Sequence, residues 1–309
     1  MRDYVHVPVM TREVLETLDL TGGGWFVDCT LGLGGHSEKI LGASPSAMVL
    51  GIDRDASALD IARERLSVFG GRTAFFRGNF KDVSGWEQLL PEKPKGLLVD
   101  LGLSSLQLLE GRGFSFKDGG SLDMRMDPSS GTTAEALLNS ATEEELASIF
   151  REYGEVENAR RIARAVVARR ISSAIKSAKE LAAVVREAVP SRNRPERINP
   201  ATKVFQAVRI AVNGELEGLG SFLARAVSLL ESSGRIVVIA YHSLEDRIVK
   251  NVFRDLERDC VCPPRLPVCG CGRKAAVRLP ERNAIRPSME EVLSNPSSRS
   301  ARLRFAEKI

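Results

Sequence analysis

Short apolar runs that each close on or beside an aspartate constrain this chain more than any other feature. They are Trp25-Phe26-Val27-Asp28, Ala47-Met48-Val49-Leu50-Gly51-Ile52-Asp53 and Gly96-Leu97-Leu98-Val99-Asp100-Leu101. Each is too short for a helix and apolar almost throughout, as a strand buried on both faces must be. Thr73-Ala74-Phe75-Phe76-Arg77 is a further strand of this set. Between them, His36–Leu41 starts a helix, and Ala56–Phe69 places Leu59, Ala62 and Leu66 on one helical face. Strand and helix in alternation imply a parallel sheet covered on both sides, an α/β fold of the Rossmann-like, doubly wound type.

The alternation stops after Asp100. From about Thr142 to Glu217 the pattern is helical. Thr142 with Glu145 and Ser177 with Glu180 read as capping boxes, and Asn199-Pro200 as a cap with proline in the first turn. Val204, Val208, Ala211 and Val212 give the last helix an apolar stripe. Gly234–Tyr241 then returns to strand. The organisation predicted is a discontinuous α/β domain, residues 1–108 and 215–309, with an inserted all-helical domain, residues 109–214. The tail after Cys260, rich in Pro, Arg and Ser, reads as irregular.

Composition narrows the partners. The chain has 309 residues, 43% of them apolar and 27% charged, which suits a soluble globular protein able to bury a core without disulfides. No apolar run approaches the ~20 residues that a membrane span needs, and the first residues lack the apolar core of a signal peptide. The expectation is a cytoplasmic protein with no membrane partner. The net charge of +4 conceals polarity. Residues 151–214 hold fourteen Lys and Arg against six Asp and Glu, and residues 273–309 hold nine against four. Such segments can present a basic face to a polyanion, or simply decorate the solvent side of helices.

Asp28-Cys29-Thr30-Leu31-Gly32-Leu33-Gly34-Gly35-His36 joins the first strand to the first helix, and its glycines let backbone approach a ligand closely. Asp53 ends the second strand, where a carboxylate can accept both ribose hydroxyls of an adenosine. A pyrophosphate calls for G-x-G-x-x-G. Here the loop is G-x-G-G and an aspartate precedes it. That acid repels a pyrophosphate and suits a ligand bearing an ammonium and a sulfonium, S-adenosylmethionine. After the third strand, Asn79-Phe80 can set an aromatic ring against adenine, and Asp100 ends the fourth strand where the reactive methyl would lie. Core packing for Phe80 and a helix cap for Asp100 are the plainer readings.

Further segments stand in the order of one enzyme group: His6-Val7-Pro8-Val9, Asp53-Arg54-Asp55, Asp100–Leu108, Arg112-Gly113-Phe114-Ser115-Phe116, Leu122-Asp123-Met124-Arg125-Met126-Asp127, Phe205–Asn213, His242-Ser243-Leu244-Glu245-Asp246-Arg247 and Arg299–Arg304. With these the chain resembles the bacterial 16S ribosomal RNA cytosine-N4 methyltransferase family over nearly its whole length. The resemblance implies a class I methyltransferase that uses S-adenosylmethionine to methylate the exocyclic amine of a cytidine in the decoding region of small-subunit RNA. Its cofactor residues fall, by motif match, on Gly34, Gly35, His36, Asp53, Phe80, Asp100 and Gln107. The partner implied is 16S rRNA within the small ribosomal subunit, and the enzyme would be a monomer or homodimer. Cys29, Ser121, Ala240-Tyr241 and Ser297-Ser298 depart from the family pattern, and Tyr241 borders the expected base pocket.

A cytosine amine is a poor nucleophile because its lone pair is delocalised into the ring. Asp100 and His242 are the candidate catalytic residues, with Ser104 or Ser105 as alternatives beside the amine; Ser243 with Asp246 reads as a competing capping box. Arg112 and Arg125 are further RNA candidates, or surface partners of acids. A methyltransferase acting on another RNA or a protein, an assembly factor that keeps the fold without turnover, and a nicotinamide oxidoreductase are the competing functions. Cys260, Cys262, Cys269 and Cys271 form C-x-C, six residues, C-x-C. Structural zinc sites more often use C-x2-C, so the sequence reading is reduced thiols, with no metal assigned.

Overall fold

The structure is a computed structural model and describes residues 7–103, 111–115, 120–189, 200–263 and 270–309. The chain divides into two compact units, Met1–Gly102 with Leu216–Ile309, and Leu103–Glu215. Among the described residues the helices are α1 (Thr11–Leu18), α2 (Gly35–Ala43), α3 (Ala56–Leu66), α4 (Val83–Trp86), α5 (Ala134–Ser140), α6 (Glu143–Glu152), α7 (Ala159–Ser172), α8 (Ala178–Ala188), α9 (Pro200–Asn213), α10 (Leu219–Leu229), α11 (Ser243–Leu256) and α12 (Met289–Ser294).

The first unit holds one seven-stranded sheet. Its strands are β1 (Gly24–Asp28), β2 (Ala47–Asp53), β3 (Thr73–Arg77), β4 (Gly96–Asp100), β5 (Arg235–Ala240), β6 (Val277–Arg278) and β7 (Arg302–Lys308). The spatial order is β3-β2-β1-β4-β5-β7-β6. The first five run parallel, and β7 lies antiparallel between β5 and β6. Successive side chains point to opposite faces. Trp25, Val27, Leu97, Val99, Ile236 and Val238 therefore meet α10 and α11 on one side. Phe26, Val49, Leu98, Val237 and Ile239 meet α1, α2 and α3 on the other. Two buried faces explain why these strands read as unbroken apolar runs.

The chain order of the strands reverses at β1, so the crevice outside the carboxyl ends of β1 and β4 is a topological switch point, the usual ligand position in an open α/β sheet. The register aligns the acids there. Asp28 stands opposite Gly51 on β2 and Leu98 on β4, and Asp100 stands opposite Ile239 on β5.

One expectation for this unit fails. The tail after Cys260 is not irregular throughout: β6, α12 and β7 lie in it, and β7 fills an interior place in the sheet. Leu303, Phe305 and Ala306 are buried while arginines alternate with them. Asp246 of α11 fastens this strand by accepting from Arg304 Nε at 2.6 Å and Arg302 Nη1 at 3.0 Å.

In the second unit α5 to α9 close over a core that includes Leu146, Phe150, Ile162, Val166, Leu181, Val185, Val204 and Val208. The capping boxes at Thr142 with Glu145 and Ser177 with Glu180 are both present. Asn213 at the end of α9 pins an earlier loop, donating to the Met124 carbonyl at 2.8 Å and accepting from the Met126 amide at 2.7 Å. Asn199 lies outside the described residues.

Candidate active site

Three carboxylates close the adjacent strands β2, β1 and β4: Asp53, Asp28 and Asp100. Asp28 is fully buried. Its carboxylate accepts the Ser37 hydroxyl at 2.7 Å and the Thr30 amide at 3.3 Å. Burial pushes its pKa up, against the pull of His36 and of the Ser37 hydroxyl. Asp53 accepts two amides, from Gly32 at 2.8 Å and Asp55 at 2.9 Å. Burial still dominates and pushes it up to about 6. Gly32 thus reaches across from the β1 loop to the end of β2, which fixes the loop over the sheet edge.

Gly34 is the turning point of that loop. Its φ of +78° is left-handed, and an added Cβ would lie 3.3 Å from Leu66 Cδ1 and 3.4 Å from Ala62 Cβ. Only glycine meets both conditions without strain. The loop then feeds α2 at Gly35, with no side chain capping its first amides. His36 follows in that first turn, buried, with neither ring nitrogen in a hydrogen bond. Its Nε2 stands 3.5 Å from Asp100 Oδ2, close enough for electrostatic attraction but short of hydrogen-bond geometry.

Two hydrogen bonds hold Asp100 in place. Its own amide donates to Thr30 Oγ1 at 2.6 Å, and its Oδ1 accepts the Gly102 amide at 3.3 Å. The Tyr241 phenol, just past the end of β5, lies beside it. Burial, with this acid beside it, holds the Tyr241 phenol well above its ordinary value. Gly102 leaves room for that ring, since an added Cβ would lie 2.8 Å from Tyr241 Cε2.

Phe80 follows β3 and is partly exposed. Its ring meets Phe222 of α10 edge-on at 4.7 Å, so packing accounts for one side of it. His242 is the N-cap of α11, in a capping box with Glu245. This corrects the box expected at Ser243 and Asp246. The helix begins one residue earlier than the Ser-x-x-Asp spacing suggested, and Asp246 is committed to Arg302 and Arg304 instead. His242 Nε2 is buried without a hydrogen bond although Glu245 Oε1 is 3.0 Å away. Gln107, Ser104 and Ser105 lie outside the described residues.

In the second unit Arg125 makes a two-pronged ion pair with Asp123, at 2.7 and 2.8 Å. Arg112 donates to the Arg125 carbonyl at 3.3 Å. Both arginines therefore shape their own loop. Sequence reasoning missed Thr30, Ser37 and Tyr241 as supports of the acids. The signal for Ser37 was its place one residue beyond His36 in the first helical turn.

An open α/β sheet with a glycine loop, an acid at the ends of β2 and β4, and a buried imidazole without a hydrogen bond beside Asp100 fits an adenosine ligand that carries positive charge. The fold and site define a class I methyltransferase whose cofactor is S-adenosylmethionine. The family model of the MraW methylase family matches residues 3–309, and the chain belongs to that family. Relatives named "Ribosomal RNA small subunit methyltransferase H" are similar end to end. The protein from Syntrophotalea carbinolica is 47% identical over 312 residues, covering 99% of this chain and 98% of that one. The protein from Thermomicrobium roseum is 50% identical over 307 residues, covering 98% and 94%. A third, from Geobacter sp., is 46% identical and covers 100% of both chains.

Proposed function

We propose that this methyltransferase acts in the cytoplasm on the exocyclic N4 amine of a cytidine in the decoding region of 16S rRNA. The observation that carries the reading is the set of acids at the switch point, with Asp100 held where β4 and β5 end together. The names and full-length similarity of the relatives support the RNA as substrate.

When bound, S-adenosylmethionine supplies an electrophilic methyl on a sulfonium. Asp53 would hold the ribose hydroxyls, Phe80 would lie against adenine, and Gly34 and Gly35 would let backbone approach the methionine portion. His36, in need of partners, would donate or accept there, and Gln107 would complete the set. Asp28 is too enclosed to touch a ligand; it anchors Ser37 and the start of α2.

Beside that methyl donor the chain's own task would be to hold the target amine in line and to accept the one proton it loses, for which Asp100 would be the acceptor. Asp100 accepts a hydrogen bond from the amine and orients its lone pair. The Gly102 amide fixes the carboxylate for that task, with the Tyr241 ring packed beside it. His242, whose Nε2 lies 3.0 Å from Glu245 Oε1, would border the base pocket from the β5 side. A base within an RNA helix cannot reach this depth, so it enters unpaired or flipped out. The helical unit and the basic 273–309 segment supply phosphate contacts, chiefly through exposed arginines such as Arg160 and Arg161 on α7.

Methyl transfer from labelled S-adenosylmethionine to purified small subunits tests this. Label is expected in the RNA fraction. Label confined to ribosomal proteins would overturn the substrate assignment.

A further inference from the structure

Among the described residues between α11 and β6, none takes part in the candidate active site, yet three cysteines there converge. We infer that Cys260, Cys262 and Cys271 form a site for a thiophilic divalent cation, zinc foremost. Their sulfur atoms all lie within 4.8 Å of one another. Cys260 and Cys271 are eleven residues apart in sequence, and their sulfurs stand 3.8 Å apart. Sulfurs bound to one tetrahedral zinc at about 2.3 Å would be separated by about 3.8 Å. That is far outside the ~2.05 Å of a disulfide bond. The fourth thiol of the run, Cys269, lies outside the described residues, and the site is assigned without it.

Two further features suit a metal. The Cys262 amide donates to Cys260 Sγ at 3.3 Å, an orientation that stabilises a thiolate. The neck of the segment is also closed independently of the cysteines. Arg273 pairs with Asp255 at 2.8 Å, the Ala275 amide donates to Asp259 Oδ1 at 3.0 Å, and the Ala276 amide donates to the Leu256 carbonyl at 2.8 Å. Closure brings the two C-x-C ends together before any ion binds, which lowers the ordering cost of binding. Val261, between the first two thiols, is exposed. A bound ion would supply the cross-link that a small core cannot. Three thiolates select a soft or borderline cation over magnesium or calcium. The position, next to the sheet edge at β6, marks the ion as structural.

The test uses the full chain purified under reducing conditions without added metal. Elemental analysis should find about one zinc per chain, falling below about a tenth of that in the Cys260→Ser, Cys271→Ser double variant. Exchange into cobalt(II) should give a sulfur-to-metal charge-transfer band in the wild-type chain and none in the double variant. S-adenosylmethionine affinity, unchanged in that variant, shows that the protein remains folded. Zinc retained at full occupancy by the double variant would overturn the proposal. So would metal-free wild-type protein that gives no charge-transfer band with cobalt(II), whether its thiols titrate as reduced or as a disulfide.

Discussion

His36 Nε2 stands 3.5 Å from Asp100 Oδ2, joining the first turn of α2 to the end of β4 across the switch point. The imidazole is buried and lacks a hydrogen bond at either nitrogen. A buried polar group without a partner costs free energy. A ligand that bridges the two residues removes that cost, so the pair is arranged for occupancy.

Asp53 makes cofactor binding pH-dependent. Its carboxylate is pushed up to about 6 by burial, from an ordinary 3.8. Between those values the folded chain holds a proton that the unfolded chain has released. Asp53 alone therefore makes stability fall as pH rises through that window. Ribose hydroxyls need the ionised acid, so the Kd for S-adenosylmethionine should rise as pH falls through about 6. Asp53→Asn should weaken binding about tenfold or more at pH 8 and flatten the pH profile. Isothermal titration at several pH values checks both.

Ser37→Ala should destabilise the chain by about 1–3 kcal/mol, because it leaves the enclosed Asp28 carboxylate short of a donor. Denaturant unfolding measures this. A loss below about 0.5 kcal/mol would mean that water replaces the hydroxyl.

Gly102→Ala should separate chemistry from cofactor binding. The new Cβ would lie 2.8 Å from the Tyr241 ring and 3.3 Å from Asp100 Oδ1, so the ring and the carboxylate must shift. Turnover should fall at least about tenfold, about 1.4 kcal/mol in barrier, with the Kd for S-adenosylmethionine within about twofold. Single-turnover methylation and equilibrium binding give the two numbers.

Asp246→Asn should cost about 2–3 kcal/mol of stability by loosening α11 from β7. Burial raises the Asp246 pKa, but hydrogen bonds from Arg304 and Arg302 outweigh it and hold the carboxyl below its ordinary value. Its stabilisation is therefore present above that ordinary value and lost as pH falls toward the folded one. Thermal unfolding of the variant should show a flatter acid limb than the wild type.

Arg160→Glu with Arg161→Glu should weaken binding to small subunits and lower the slope of log K against log salt by about 2, if each arginine meets one phosphate. Cofactor affinity should not change. An unchanged salt slope would remove α7 from the RNA surface.

Much of this fold was legible in the sequence because its strands are buried on both faces. Unbroken apolar runs ending in acids placed β1, β2 and β4, and the acids marked the switch point. The strand β7 was missed for the opposite reason: its arginines interrupt the apolar pattern, and their partner Asp246 is 56 and 58 residues away. Alternation of Leu303 and Phe305 with arginine was the available signal. Tertiary supports of the site were invisible in the same way. Nothing local to Tyr241 shows that it lies beside Asp100, and nothing local to Asp246 shows that it is not a cap. The convergence of Cys260 and Cys271 is likewise set by the neck at Asp255 and Arg273, which spacing alone does not reveal.

The central claim is methyl transfer to the N4 amine of a cytidine. Nucleoside mass spectrometry of 16S rRNA after reaction of unmethylated small subunits with isotopically labelled S-adenosylmethionine tests it most directly. The account predicts label in N4-methylcytidine at a single position of the decoding region, abolished by Asp100→Ala. Label on a ring carbon of cytidine, or on any other base, would contradict it.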